Sequence, residues 1–272
     1  MNIILLLITT CFAIIGLALI RHTYARTQAK QRTIDGIQGV NHFVELIKLT
    51  QQHRGMHSGY LNGNTDFKSK LTALEKTIQA EYEQLLNFEQ KHRYPSQLSI
   101  QFTHKQWQRL LQKEDLQSSQ SFQLHTSLIN RQLEALWDLA DEFALTTNRQ
   151  QKVRLTSQQL VKTLPELAEA IGQIRALSIQ VASKQDLSSD KKLQLIFTLS
   201  KISEHHSQLR QVLPTDSNQG LQAFVADIKN SVEHDTLSQR DPDNLFQEAS
   251  QIINQLFAFI NNRLHQLKEN LH

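Results

Sequence analysis

The chain is short of the residues that punctuate and cross-link proteins. In 272 residues it has one cysteine, four prolines and eight glycines. The lone Cys11 excludes a disulfide scaffold and any cysteine-based zinc centre. All-β architectures need a turn residue every few positions, and too few are present. The same scarcity excludes collagen-like and Gly/Pro-rich disordered chains. An excess of one charge is also lacking: 29 Lys and Arg oppose 26 Asp and Glu, a formal net charge of +3. No nucleic-acid-binding field follows from that balance. P-loop, G-x-G-x-x-G, G-x-S-x-G and H-E-x-x-H motifs are absent. With no nucleophile–base constellation in view, the sequence points away from an enzyme and implies no cofactor.

What is present begins with an apolar run. Ile3 to Ile20 is 18 residues without a charge, enough to cross a bilayer core as a helix. A cleaved signal peptide is the competing reading. Only Met1 and Asn2 precede the run, and no A-x-A site follows it, so an uncleaved anchor is expected. Arg21, Arg26, Lys30 and Arg32 lie after the run with no acid before Asp35. The positive-inside rule then places the bulk of the chain in the cytoplasm.

Beyond residue 32 the apolar residues recur at helical spacing. Breaks fall at Asn62–Thr65, Tyr94–Ser99, Thr146–Asn148, Lys184–Ser189, Pro214–Asn218 and Asp241–Pro242. Eight helices are expected, near 32–61, 65–92, 102–117, 119–145, 150–184, 189–212, 218–236 and 243–270, with N-caps at Thr65, Ser189 and Ser217. Pro165 should kink the fifth helix or restart it.

The two halves also resemble each other. Arg54 and Arg175 each lie late in a long helix, 121 residues apart. Ser121–Trp137 resembles Leu245–Asn261, pairing Phe122 with Phe246 at an offset of 124. Two matches at nearly one offset predict an all-α chain of two tandem four-helix bundles after one N-terminal transmembrane helix. The divisions are a span at 3–20, a basic juxtamembrane segment at 21–34, and bundles at 35–145 and 150–271.

Both arginines fall on apolar seams. The first runs Ile37, Val40, Val44, Ile47, Gln51, Arg54, Ser58, Leu61; the second Val161, Leu164, Ala168, Ile171, Arg175, Ser178, Ala182. A guanidinium stays charged and needs an acceptor when buried. One reading is an internal ion pair, with Glu45, Asp138, Asp141 or Glu166 as the carboxylate. The other is that the two guanidiniums converge on one small oxyanion, whose planar edge matches their forked donors. Gly55, Gly59 and Gly63 would give the first helix a smooth face, and Gly172 stands one turn before Arg175.

At this point a resemblance enters. The pattern Leu-x-x-Gln-x-x-Arg-Gly-x-x-Ser-x-Tyr-Leu, read over Leu49–Leu61 with one residue of looseness, resembles the arginine-glycine motif of the nitrate- and nitrite-sensing (NIT) domain family. Pro165–Ser183 is similar to that family's second arginine segment. The resemblance implies a pair of four-helix bundles that hold nitrate or nitrite between them with arginines and relay occupancy to an output module. By position it assigns ligand binding to Arg54, Gly55 and Arg175, with Ser58 and His57 beside them. Here Ala176 follows the second arginine instead of glycine, and His53 precedes the first. Arg131, Arg149, Arg154 and Arg210 are further candidates.

His53 and His57 have the i, i+4 spacing of metal ligands, but no third ligand is visible, so no metal is expected. His57, if protonated, would add positive charge to the site near neutral pH. Trp107 and Trp137 read as packing residues, and His205-His206 as a solvated face. The expected function is a single-pass sensor of a bacterial inner membrane that binds nitrate or nitrite and signals to a separate, unidentified protein. Homodimerisation is compatible with the sequence but not specified by it. The alternative is a helical scaffold whose arginines are structural.

Overall fold

The computed structural model describes residues 2–95 and 100–271, with side chains from residue 7 onward. Among them are nine α-helices and no strands. The first, α1, runs without interruption from Asn2 to Leu61. Its N-terminal part is long and apolar enough to cross a membrane. Leu7, Phe12, Leu17 and Ile20 there are all exposed. From Ile34 onward one stripe turns inward, through Ile37, Val40, Val44 and Ile47. That is the 3–4 spacing of an amphipathic helix packing on neighbours.

Three helices complete the first group: α2 (Phe67–His92), α3 (Gln101–Leu111) and α4 (Ser118–Glu142). Helix α1 packs against α2 and α4, and α3 against α4. The second group comprises α5 (Gln151–Gln158), α6 (Leu164–Lys184), α7 (Ser189–Leu209), α8 (Thr215–Glu233) and α9 (Pro242–Leu271). Here α6 packs against α7 and α9, and α8 against both α7 and α9. The roles of α1 and α4 in the first group are thus repeated by α6 and α9 in the second. Where the groups meet, α1 touches α6 and α9, and α4 touches α6.

Several details differ from the sequence reading. The restart expected at Pro165 is found, by way of a turn the spacing does not announce: a π-turn at Gln159–Thr163 widens the coil, and α6 begins at Leu164 with the proline in its first turn. The extra residue in that turn accommodates a ring that lacks an N–H. The third helix ends at Leu111 rather than near 117. The cap positions are Asp66, Ser188 and Pro214, not Thr65, Ser189 and Ser217. The glycine face expected on α1 divides as well. Gly63 lies beyond the helix with φ +102°, a turn conformation that suits glycine, and Gly59 abuts Phe67. The break expected at Tyr94–Ser99 falls mostly outside the described residues.

Candidate functional site

The seam of α1 delivers Arg54 to the junction of α1, α4, α6 and α9, where it is fully buried. The seam of α6 delivers Arg175 there too, 5% exposed. The repeat governs what surrounds them. Arg54 lies over the ring of Phe122, with 5.4 Å from Cζ to the centroid, and its Nη1 donates to Thr126 Oγ1 at 2.9 Å. Arg175 lies over Phe246 at 5.0 Å and donates through Nη1 to Ser250 Oγ at 2.8 Å. Phe and hydroxyl stand four residues apart on α4 and again on α9. Each arginine is therefore held by the last helix of its own group, through a cation–π contact and a hydroxyl acceptor.

The helices approach closely at this junction. A Cβ on Gly172 of α6 would stand 2.7 Å from Arg54 Nη2, and one on Gly55 of α1 would stand 3.3 Å from Arg175 Nη2. Each guanidinium is thus laid against a glycine of the other long helix. Arg175 Nη2 also donates across the junction to the backbone carbonyl of Gln51 at 3.1 Å.

The partners of the two cations then diverge. Arg54 forms a forked ion pair with Glu169, Nη1 to Oε1 at 2.6 Å and Nη2 to Oε2 at 3.1 Å. Glu169 is 3% exposed and is not among the four carboxylates considered from the sequence. Of those four, Glu45 pairs with Lys48 on α1 itself, Glu166 faces His205 and Asp141 accepts from Thr146. Glu169 takes two further donors, Gln173 Nε2 on Oε1 at 2.9 Å and Gln51 Nε2 on Oε2 at 3.0 Å. Two donors on each oxygen fill the accepting capacity of a carboxylate. Arg175 has no carboxylate hydrogen-bonded to it among the described residues. Burial, with the Arg54 charge nearby, draws its pKa down to about 10. The buried Nε of Arg54 and Oε1 of Gln51 have no hydrogen-bond partner among the described residues.

Of the residues singled out in the sequence, the structure brings Arg54, Gly55 and Arg175 together. His57 and Ser58 point elsewhere, to Ser121 Oγ at 2.7 Å and Ser118 Oγ at 2.9 Å on α4. His57 belongs to a histidine stack with His53 and His125, in which His53 Nδ1 and His125 Nε2 lie 2.8 Å apart. Burial holds the pKa of His57 down to about 4, helped by the proximity of His53, and pushes that of His125 well below the usual value. His57 therefore brings no added charge near neutral pH. No metal-holding group of His, Cys, Asp or Glu occurs among the described residues. Trp107 is fully buried and edge-on to His53. Trp137 lies under Lys162. His206 bonds to Asn218, so the His205-His206 pair is engaged rather than freely solvated. Arg131 pairs with Glu134 on the surface, and Arg154 donates to the Asn148 carbonyl.

The sequence reading missed Glu169, Gln51, Thr126 and Ser250. Glu169 left one readable signal: it is the single charged residue between Leu167 and Ile174.

The fold and this junction define an all-helical module in which two repeat-related arginines are buried between two helical groups. The model of the nitrate and nitrite sensing (NIT) family matches residues 45–268. The chain belongs to that family of sensor modules. The solved structure of the NasR transcription antiterminator is similar in fold, with a TM-score of 0.73 at 12% identity, over 94% of this chain and 74% of that one. No curated protein matches the chain.

Proposed function

We propose that the chain is a membrane-anchored sensor that holds nitrate or nitrite at the junction, with Arg54 and Arg175 as the binding groups and Gly55 and Gly172 giving them room. One observation carries this reading. Two guanidiniums from equivalent helices, each supported by an equivalent Phe and hydroxyl, lie buried at the contact between the halves. One of them already grips a planar carboxylate, so the chemistry of oxyanion recognition is built there. Occupancy would bias how the 35–145 and 150–271 bundles sit on each other, by the ligand's difference in affinity between the arrangements. Helix α1 would be the membrane anchor, and its basic flank favours a cytoplasmic module signalling to a separate output protein.

The test is a thermal-shift series on the full chain in mild detergent, with nitrate, nitrite, chlorate, sulfate, phosphate and chloride at matched ionic strength. A ligand at one hundred times its Kd adds about 2.7 kcal/mol. A shift with nitrate or nitrite that Arg175→Ala abolishes supports the sensor. The Arg54–Glu169 pair favours a second reading, a scaffold with structural arginines. That reading is supported if the folded protein shows no anion-specific shift.

A further inference from the structure

We infer that Glu169 is a tethered competitor for the anion: its carboxylate occupies the Arg54 fork in the empty sensor, and an external oxyanion must exchange with it. This rests on the sensor reading above. The carboxylate fills the fork as a free anion would, with both Nη atoms engaged and the Gln51 and Gln173 amides completing the cage. Its O–C–O edge has the bent, planar form of the O–N–O edge of nitrite, and nitrate presents that edge with a third oxygen.

The acid is not demanded by the repeat. At the offset that relates Arg54 to Arg175, the counterpart of Glu169 is Lys48, which pairs with Glu45 along α1. Arg175 meanwhile is held at the same junction by the Phe246 ring, a hydroxyl and a carbonyl, with no carboxylate hydrogen-bonded to it among the described residues. A forked carboxylate is therefore an addition to the Arg54 side.

A place for the displaced group also exists. Glu169 and Gln173 line a cleft of about 630 Å3 formed by α4, the π-turn, α6 and α7. Lys162, Lys201 and His205 stand in that cleft, among the carboxylates of Glu134, Asp138, Glu166 and Glu204. A small rotation of the Glu169 side chain exchanges the guanidinium for this wetter, mixed-charge wall. A tethered carboxylate competes at a fixed effective concentration, so it weakens every external anion and sets the threshold at which the sensor fills.

The experiment is calorimetric titration of the full chain in detergent with sodium nitrite and sodium nitrate, comparing the parent with Glu169→Gln, Glu169→Asp and Arg175→Ala. Glu169→Gln removes the competing charge and should tighten binding at least tenfold. Glu169→Asp keeps the charge but shortens its reach, and should tighten binding by less, which covers the case where the Gln variant fails to fold. In Glu169→Ala, formate should raise the melting temperature saturably, with little effect on the parent. Equal affinities in parent, Glu169→Gln and Glu169→Asp, still abolished by Arg175→Ala, would overturn the competitor while leaving the sensor standing. No binding by folded parent or folded Glu169→Gln would overturn the sensor, and the competitor with it.

Discussion

Arg54 and Arg175 are the same residue placed twice by one repeat and treated in two ways. Each has a Phe beneath it, a hydroxyl four residues further on, and a glycine of the opposing helix against its fork. Of the two, Arg54 alone has a carboxylate in its fork among the described residues. Helix packing thus places the two cations alike. Their charge balance was set separately, by one acid on one helix. A buried ion pair is weak evidence for stability, because desolvation offsets much of the attraction. The asymmetry is therefore explained neither by the repeat nor by a need for stability.

The comparison breaks most sharply at Arg54. Arg54→Ala takes the cation from Glu169, leaving its carboxylate to the Gln51 and Gln173 amides and the cleft wall, and should cost about 3 kcal/mol in denaturant unfolding, the low end for a broken buried pair. The double variant Arg54→Met, Glu169→Leu should recover most of that loss, since an apolar replacement of both partners is close to neutral. Arg175→Ala leaves only neutral acceptors behind, Ser250 and the Gln51 carbonyl, and should cost less, about 1–3 kcal/mol.

The glycines sharpen the contrast. Gly172→Ala puts a methyl 2.7 Å from Arg54 Nη2 and should destabilise by about 1–3 kcal/mol, since it levers the guanidinium off Glu169. Gly55→Ala meets Arg175 at 3.3 Å, and the gain in helix propensity, about 0.5–1 kcal/mol, should bring its net effect close to zero. Melting curves of the two variants side by side check the difference. A larger loss for Gly55→Ala would mean that Arg175 is the more rigidly held cation.

The smallest effect near neutral pH concerns the histidines of the first half. His57 has its pKa lowered to about 4 in the fold, whereas the unfolded chain protonates it near 6.5. Between these values the unfolded state binds more protons, so the stability His57 contributes is present above pH 6.5 and lost as pH falls toward 4. His125 acts in the same direction. Calorimetric scans at pH 8, 6.5 and 5 should show little change over the first interval and a clear drop over the second. Nitrate affinity should not rise between pH 8 and pH 6, because His57 gains no charge there. A rise that His57→Ala removes would restore that histidine to the site.

Much of the architecture was legible because helices announce themselves by apolar period. The stripes through Ile37–Ile47 and Leu164–Ile171 are buried as the spacing requires. The pairing of Phe122 with Phe246 pointed to equivalent helices, and both rings lie under the arginines. The site was only half legible, for two physical reasons. Glu169 is 115 residues from Arg54 along the chain, and nothing local in either segment names the other as its partner. The seam reading also favoured the neighbour Ala168, one position away. His57 and Ser58 were placed beside Arg54 because they lie on its next turn. Side chains of a helix lean toward its N-terminus. The Arg54 guanidinium therefore covers the turn of Gln51, and the following turn is left to face Ser118 and Ser121 of α4.

The unbroken course of α1 has a mechanical consequence. The apolar segment and the Arg54 turn are one helix, with Ile20 and Arg54 separated by roughly 50 Å of continuous coil. Proline is absent from the whole of Asn2–Leu61, so there is no swivel of that kind to absorb a twist. A rotation of a few degrees imposed where Arg54 meets α6 is carried along the rod as torque, without being diluted in a linker. The exposed apolar stretch around Leu7–Ile20 lies at the other end of that rod, so α1 is at once a wall of the junction and a rigid lever that reaches far out from it.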